Sequence, residues 1–130
     1  MRPMYTLEHI EPQIIRITWD GVINTNFFRE ATEKRVEFAQ KNITGNYVLI
    51  FDLSKAVIAM MDMRLTAWSA NIDPRMICTI VIGKHSILSV IANMLLRLSR
   101  LKVEFAEDEQ QALERAQAIM VGDEDTAQTN

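Results

Sequence analysis

Apolar and polar positions alternate over the first residues of the chain. Residues 5–10 and 13–19 form two short alternating or apolar runs joined at Glu11-Pro12, a pattern typical of an antiparallel hairpin with proline in the turn. Gly21 is expected to end the second strand. The chain therefore opens with two paired strands.

Later in the chain the apolar runs are continuous. Residues 47–51 and 76–82 contain almost only apolar side chains, as strands do when both faces of the sheet are covered. Residues 102–105 alternate and predict a short strand nearer an edge. Residues 56–61 are apolar but poorly periodic, and we interpret them as a packed connection.

Four segments show the helical period. The first should run from about residue 26 to 41, capped by Asn24 or Thr25. Arg35 falls within its apolar arc, and we expect the stem to lie on the core edge with the head in water. The second helix should begin at Asp62 and stop at Asp73-Pro74.

The third helix should follow a cap at Ser86, and the last should end at Gly122. Residues 123–130 are polar and predict a disordered tail. This order of elements predicts one α/β domain over residues 1–122, with four helices on a mixed sheet of about five strands. The later strands should be parallel.

Composition narrows the class of protein. With 130 residues, 48% of them hydrophobic, the chain can bury one core without disulfides or metals. A net charge of -3 gives no basic footprint for nucleic acid. No signal peptide or membrane span is recognisable, and Cys78 sits in an apolar run, so we expect a soluble cytoplasmic protein with a buried thiol.

The order of elements, with Gly21-Val22-Ile23 and the central segment 48–54, resembles the STAS superfamily over residues 5–120. That superfamily includes bacterial anti-sigma-factor antagonists and SpoIIAA-like proteins. The resemblance implies a non-catalytic domain that regulates a protein partner. In the antagonists, a serine at the start of the second helix is phosphorylated to switch partner binding.

The stretch that matches this switch contains no serine, threonine or glycine, and reads Met60, Met61, Asp62, Met63 and Arg64. We interpret Asp62 as a helix cap, with a fixed mimic of the phosphorylated state as the alternative. The missing serine places the resemblance nearer the SpoIIAA-like branch. That branch is similar in fold to CRAL-TRIO lipid-binding domains, which implies apolar-ligand binding as a rival role.

One candidate site lies where the central strands end. Lys84, His85 and Ser86 follow one such strand, and Ser54 and Lys55 follow the other, so an anion or carboxylate could be held there. The alternative is an ordinary polar turn. Catalysis has no support, because neither histidine stands at metal-ligand spacing and no glycine-rich phosphate loop is present; no cofactor is expected.

The third helix carries an apolar arc of about 160°, wider than the roughly 100° that one core requires. Leu96 lies outside even that arc. A helix buried on two sides would explain this breadth, and so would contact with a second copy of the chain or a ligand. Methionines 60, 61 and 63 are either core filler or an adaptable binding surface.

These observations favour a non-catalytic STAS-like interaction domain, expected to be a homodimer, whose protein partner the sequence does not name. The alternative function is a small carrier or sensor that binds an apolar or anionic ligand between the helices and the sheet.

Overall fold

The structure, a computed structural model, describes residues 5–58, 73–84 and 102–129. These residues form five strands and two helices: β1 (Tyr5–Ile10), β2 (Ile14–Ile23), α1 (Thr25–Asn42), β3 (Tyr47–Ile58), β4 (Met76–Ile82), β5 (Lys102–Ala106) and α2 (Glu109–Thr129). The second and third helices expected from the sequence lie outside the described residues.

The strands form one sheet in the order β1-β2-β3-β4-β5. β1 and β2 are an antiparallel hairpin, and β2, β3, β4 and β5 are parallel to one another. This confirms the α/β class and the mixed sheet. β3 and β4 occupy the interior, as their continuous apolar runs predict, and β5 lies at an edge.

Each face of the sheet carries its own apolar cluster, because side chains alternate between faces along a strand. Odd-numbered residues such as Ile17, Leu49 and Val81 belong to the cluster that includes Ala31 and Ala39 of α1. Even-numbered residues such as Val48 and Ile80 pack with α2. The last helix contributes one apolar stripe to this cluster, made of Ala112, Leu113, Ala116, Ile119 and Met120.

The ends of α1 are held by local hydrogen bonds. Oδ1 of Asn24 accepts the Phe27 N–H at 2.8 Å, which identifies Asn24 as the cap. At the other end, the Ile43 N–H donates to the Ala39 carbonyl at 2.9 Å. Gly45, with φ of 89°, then turns the chain into β3. Helix and central strand are thus joined by a short, tightly held turn.

β2 and β3 are both longer than the sequence pattern predicts. β2 continues past Gly21 to Ile23, so the expected end of that strand is wrong. Gly21, with φ of 125°, lies just after a register irregularity between Thr18 and Asp20, where glycine is tolerated as part of a bulge. Residues 56–58, expected to be a connection, are strand because they pair with this extension of β2.

The last helix also exceeds its predicted length. α2 passes through Gly122 and continues to Thr129, so the helix end expected at Gly122 is wrong. A Cβ placed on Gly122 would meet no atom within 4 Å, which shows that crowding does not require glycine there. Glycine costs about 1 kcal/mol inside a helix but does not by itself end one. The division of the chain at residue 122 stays a prediction.

The prediction that the Arg35 guanidinium reaches water is wrong. It is only 4% exposed, and lies with Tyr47 and Asp73 in a buried polar cluster at the start of β3 and β4. The Tyr47 hydroxyl donates to Oδ2 of Asp73 at 2.8 Å, and Arg75 donates to the Ile43 carbonyl at 3.0 Å. The cluster ties α1 to the amino ends of both central strands.

Neither of the two described helices is long and apolar enough to cross a bilayer.

Candidate functional site

The three described residues of the predicted site lie at one edge of the sheet. Asp52 and Ile82 are the last register partners of β3 and β4. Ser54 and Lys84 each follow two residues later, and Lys55 is next to Ser54. Because the two strands are parallel, their carboxyl ends meet at the same edge. We call the surface of Ser54, Lys55 and Lys84 the carboxyl-end edge; all three residues are exposed.

Ser54 is held by the strand residue two positions before it. Its hydroxyl donates to Oδ1 of Asp52 at 2.7 Å, and its backbone N–H donates to the same oxygen at 3.0 Å. Such a turn satisfies a backbone donor locally. The carboxylate of Asp52 therefore fixes the Ser54 hydroxyl at the surface.

The extension of β2 and β3 carries this edge past the end of β4. Asp20 pairs in register with Lys55, and Val22 with Val57. Cross-strand partners share a face, so Asp20 and Lys55 lie side by side on one face of this two-stranded extension. Val57 is 62% exposed, so an apolar side chain lies at the surface next to these charged residues.

Val57 was not among the residues predicted to form the site. The sequence signal was present, because the run from Ala56 to Ile58 is apolar, but its poor helical periodicity led to the interpretation as a packed connection. To predict a strand at these residues, it would have been necessary to know that another strand pairs with them. That partner is the segment of β2 beyond Gly21, where a strand end was expected.

The thiol of Cys78 lies in a different environment. Cys78 is fully buried in β4, which confirms its predicted role as a small core residue. Burial and the nearby Glu104 carboxylate raise the pKa of the thiol to about 11. A thiol in this setting stays protonated at neutral pH and is a poor nucleophile.

Glu104 itself is paired on the surface beside α2. Nε of Arg115 donates to Oε1 of Glu104 at 2.5 Å, and a second guanidinium nitrogen donates to Oε2 at 3.2 Å. Arg115 and Lys102 lower the pKa of this carboxyl, although partial burial opposes them. The Glu104 carboxylate therefore forms a bidentate ion pair that joins β5 to α2.

The carboxyl-end edge has side chains that can bind a partner, but its described residues lack the groups that a catalytic site requires. A serine nucleophile needs a base that is itself oriented by a third group, whereas among the described residues the Ser54 hydroxyl donates to Asp52. His9 is engaged with the Pro12 carbonyl in the β1–β2 turn, at the opposite edge. Within residues 5–58, 73–84 and 102–129, no three His, Cys, Asp or Glu side chains are placed to hold a metal ion.

The other residues predicted for the site lie outside the described residues: Met60, Met61, Asp62, Met63, Arg64, His85, Ser86 and Leu96. The structure therefore brings together three of the predicted residues and adds Val57.

Solved structures of other proteins have a similar fold. An uncharacterized protein with a SpoIIAA-like fold from Shewanella loihica PV-4 superposes with a TM-score of 0.60 at 12% sequence identity, covering 86% of this chain and 91% of that one. The fold is SpoIIAA-like. The unphosphorylated anti-sigma factor antagonist SpoIIAA gives the same TM-score and identity, covering 87% of this chain and 97% of that one.

The likeness confirms, for the fold, the resemblance to the STAS superfamily drawn from the sequence. No protein-family model matches the chain, and no curated protein matches it significantly. At 12% sequence identity the comparison shows that the backbones adopt the same fold. Function has to be argued from the surface residues of this chain.

Proposed function

We propose that this chain is a non-catalytic, cytoplasmic interaction domain that regulates a protein partner through the carboxyl-end edge. The SpoIIAA-like fold supports a regulatory or interaction role, because a solved structure with a similar fold is an anti-sigma factor antagonist. The residues that follow β3 in the sequence, Met60 to Arg64, would extend the same contact. Where an antagonist carries a phosphorylatable serine, this chain has Asp62, which we interpret as a helix cap, so the contact would not be switched by phosphorylation of a serine there.

The observation that carries the proposal is the composition of the edge. Exposed Val57 stands beside exposed Lys55 and Ser54 on one rigid ribbon of two paired strands. Protein interfaces combine an apolar centre with a polar rim, and a rigid presentation lowers the entropy lost on binding. At a contact, burial of the Val57 side chain would contribute roughly 1 kcal/mol or more.

The Cys78 thiol and the Ser54 hydroxyl are poorly suited to act as nucleophiles. The thiol of Cys78 is buried and protonated, and the Ser54 hydroxyl donates to the Asp52 carboxylate rather than to a histidine. A binding role requires neither a reactive thiol nor a reactive hydroxyl.

The experiment that tests the proposal is site-specific photo-crosslinking in the source cell. A benzophenone amino acid replaces Val57 in one strain and Glu37, on the exposed side of α1, in the matched control. We expect a discrete protein adduct from position 57 that is absent from position 37. Equal adducts from both positions, or none from position 57 while the protein is folded and expressed, would contradict the proposed surface.

We also propose that the chain forms a homodimer through its third predicted helix, with Leu96 at the contact. Light scattering across a dilution series tests this: a dimer mass that falls to the monomer mass on dilution is expected, and it should shift towards monomer in Leu96→Glu. A strictly monomeric mass at high concentration would exclude the dimer and leave the carboxyl-end edge unaffected.

A further inference from the structure

The pairing of β2 with β3 contains one extra residue on β3. Thr18 pairs in register with Asp52, and Asp20 pairs with Lys55, so two steps along β2 lie opposite three steps along β3. This count defines a β-bulge, and bulges are rare between parallel strands. Asp52 is also the last residue of β3 that pairs with β4. The bulge therefore lies at the base of the two-stranded extension.

The burial of the side chains shows the same extra residue. Leu53 and Ala56 are both buried in the cluster on the α1 face of the sheet, although they are three positions apart. In a regular strand, residues three apart point to opposite faces. Unbroken alternation from Leu53 would direct Lys55 and Val57 towards α1, whereas both are exposed. The bulge is therefore what turns these two side chains away from the core.

Both strands are adapted to the bulge. An extra residue disrupts the hydrogen-bond ladder, and Oδ1 of Asp52 accepts the backbone N–H of Ser54 at 3.0 Å and its hydroxyl at 2.7 Å. A side chain that accepts such a donor stabilises the irregular backbone. On the opposite strand, Gly21 has a φ of 125°, a conformation that residues with a Cβ rarely adopt. Asp52 and Gly21 thus support the same irregularity from its two sides.

A bulge bends its strand, increases the local twist and changes the direction of the side chains that follow, and bulges are frequent next to functional sites. We propose that this bulge orients the interaction surface, with Asp52 as the positioning residue that holds it. The bend sets the direction in which Lys55 and Val57 meet a partner, and Asp52 acts through Ser54. This inference rests on the proposed function and identifies what orients its surface.

Two pairs of variants separate the bend from the chemistry of the side chains. Deletion of Ser54 leaves Lys55 opposite Asp20 in a regular ladder without the bulge, whereas Ser54→Ala keeps the extra residue and loses only the hydroxyl. Asp52→Ala removes the acceptor, whereas Asp52→Asn keeps an acceptor oxygen without the charge. Circular dichroism and urea unfolding establish that each variant is folded.

The first measurement is the yield of the protein adduct from the benzophenone at position 57, at equal levels of each variant. We expect the Ser54 deletion to give at least about threefold less adduct than Ser54→Ala, and Asp52→Ala at least about threefold less than Asp52→Asn, as loss of a well-oriented contact implies. In each pair only the first variant loses the bend. Equal yields within either pair would show that the bend does not govern the contact and would overturn the inference.

The second measurement needs no partner. Spin labels on Val57→Cys and Glu37→Cys report the direction of the two-stranded extension relative to α1, and the buried Cys78 does not compete for the label. We expect the distance between the labels to change in the Ser54 deletion and in Asp52→Ala, and to keep its wild-type value in Asp52→Asn. An unchanged distance in the first two variants overturns the inference and leaves the proposed function standing. If the wild-type chain with benzophenone at position 57 gives no adduct, the proposed function is contradicted and the inference falls with it, even where the distances change.

Discussion

The carboxylate of Asp73 is expected to hold together the buried polar cluster at the amino ends of the central strands. Asp73 accepts the Tyr47 hydroxyl at 2.8 Å and the Arg75 backbone N–H at 3.0 Å, and it is almost fully buried. Burial lowers the pKa of Arg35, whereas the charge of Asp73 raises it. Asp73 also forms an ion pair with Arg75, with 3.7 Å between Nε and Oδ1, and Arg35 in the same cluster is only 4% exposed.

Asp73→Asn keeps the size and one acceptor oxygen but removes the charge. Removing one partner of a buried ion pair costs about 3–5 kcal/mol, because the remaining charge loses its compensation. Tyr47→Phe removes only the hydroxyl, and a hydrogen bond to a charged group contributes about 1.5–3 kcal/mol. We therefore expect Asp73→Asn to be the more destabilising of the two.

Urea unfolding followed by circular dichroism measures both effects, with Asp20→Asn as the matched control at an exposed strand position. The control should stay within about 0.5 kcal/mol of wild type. The double variant Tyr47→Phe/Asp73→Asn should cost less than the sum, because both changes affect one hydrogen bond. If Asp73→Asn is as mild as Asp20→Asn, the charge of Asp73 does not compensate Arg35 and the interpretation is refuted.

Three further predictions concern local features. Asn24→Ala should lose about 0.5–2 kcal/mol, because the Phe27 N–H loses its acceptor, whereas Asn24→Asp should retain most of it; an equal loss in both variants would contradict the cap. Arg115→Gln should raise the pKa of Glu104 towards its ordinary value, measured by carboxyl NMR titration. Because that pKa is lowered in the fold, the pair stabilises the protein above the ordinary carboxyl range. The stabilisation is lost as pH falls through the folded value, so wild type and variant should converge in acid. Cys78 should resist alkylation at pH 8 until urea unfolds the chain, since its pKa of about 11 leaves little thiolate; rapid labelling of the native protein would show that the thiol is accessible.

The sequence predicted the strands best where periodicity and burial agree. The runs at residues 47–51 and 76–82 are apolar because both faces of β3 and β4 are covered, and both became interior strands. The cap at Asn24 was recognisable because the relevant hydrogen bond spans three residues. Local patterns such as these depend on the segment's own chemistry.

Features that depend on distant partners were predicted less well. The extension of β3 to Ile58 exists because β2 continues beside it, and Gly21, which usually marks a strand end, is accommodated at an irregular register. Arg35 was expected to reach water because a lone arginine on an apolar arc usually does. Asp73, whose charge acts on Arg35, is 38 positions away in sequence (73 minus 35), and only the folded chain shows the two in one cluster.

The most direct test of the carboxyl-end edge is the affinity of the crosslinked partner for charge-reversal variants. Lys55→Glu/Lys84→Glu is compared with Lys41→Glu, a control at an exposed lysine near the end of α1. Calorimetry at fixed ionic strength should show at least about tenfold weaker binding for the double variant, equivalent to about 1.4 kcal/mol, and wild-type affinity for the control. Wild-type affinity in the double variant, or equal weakening in the control, would contradict the proposed surface.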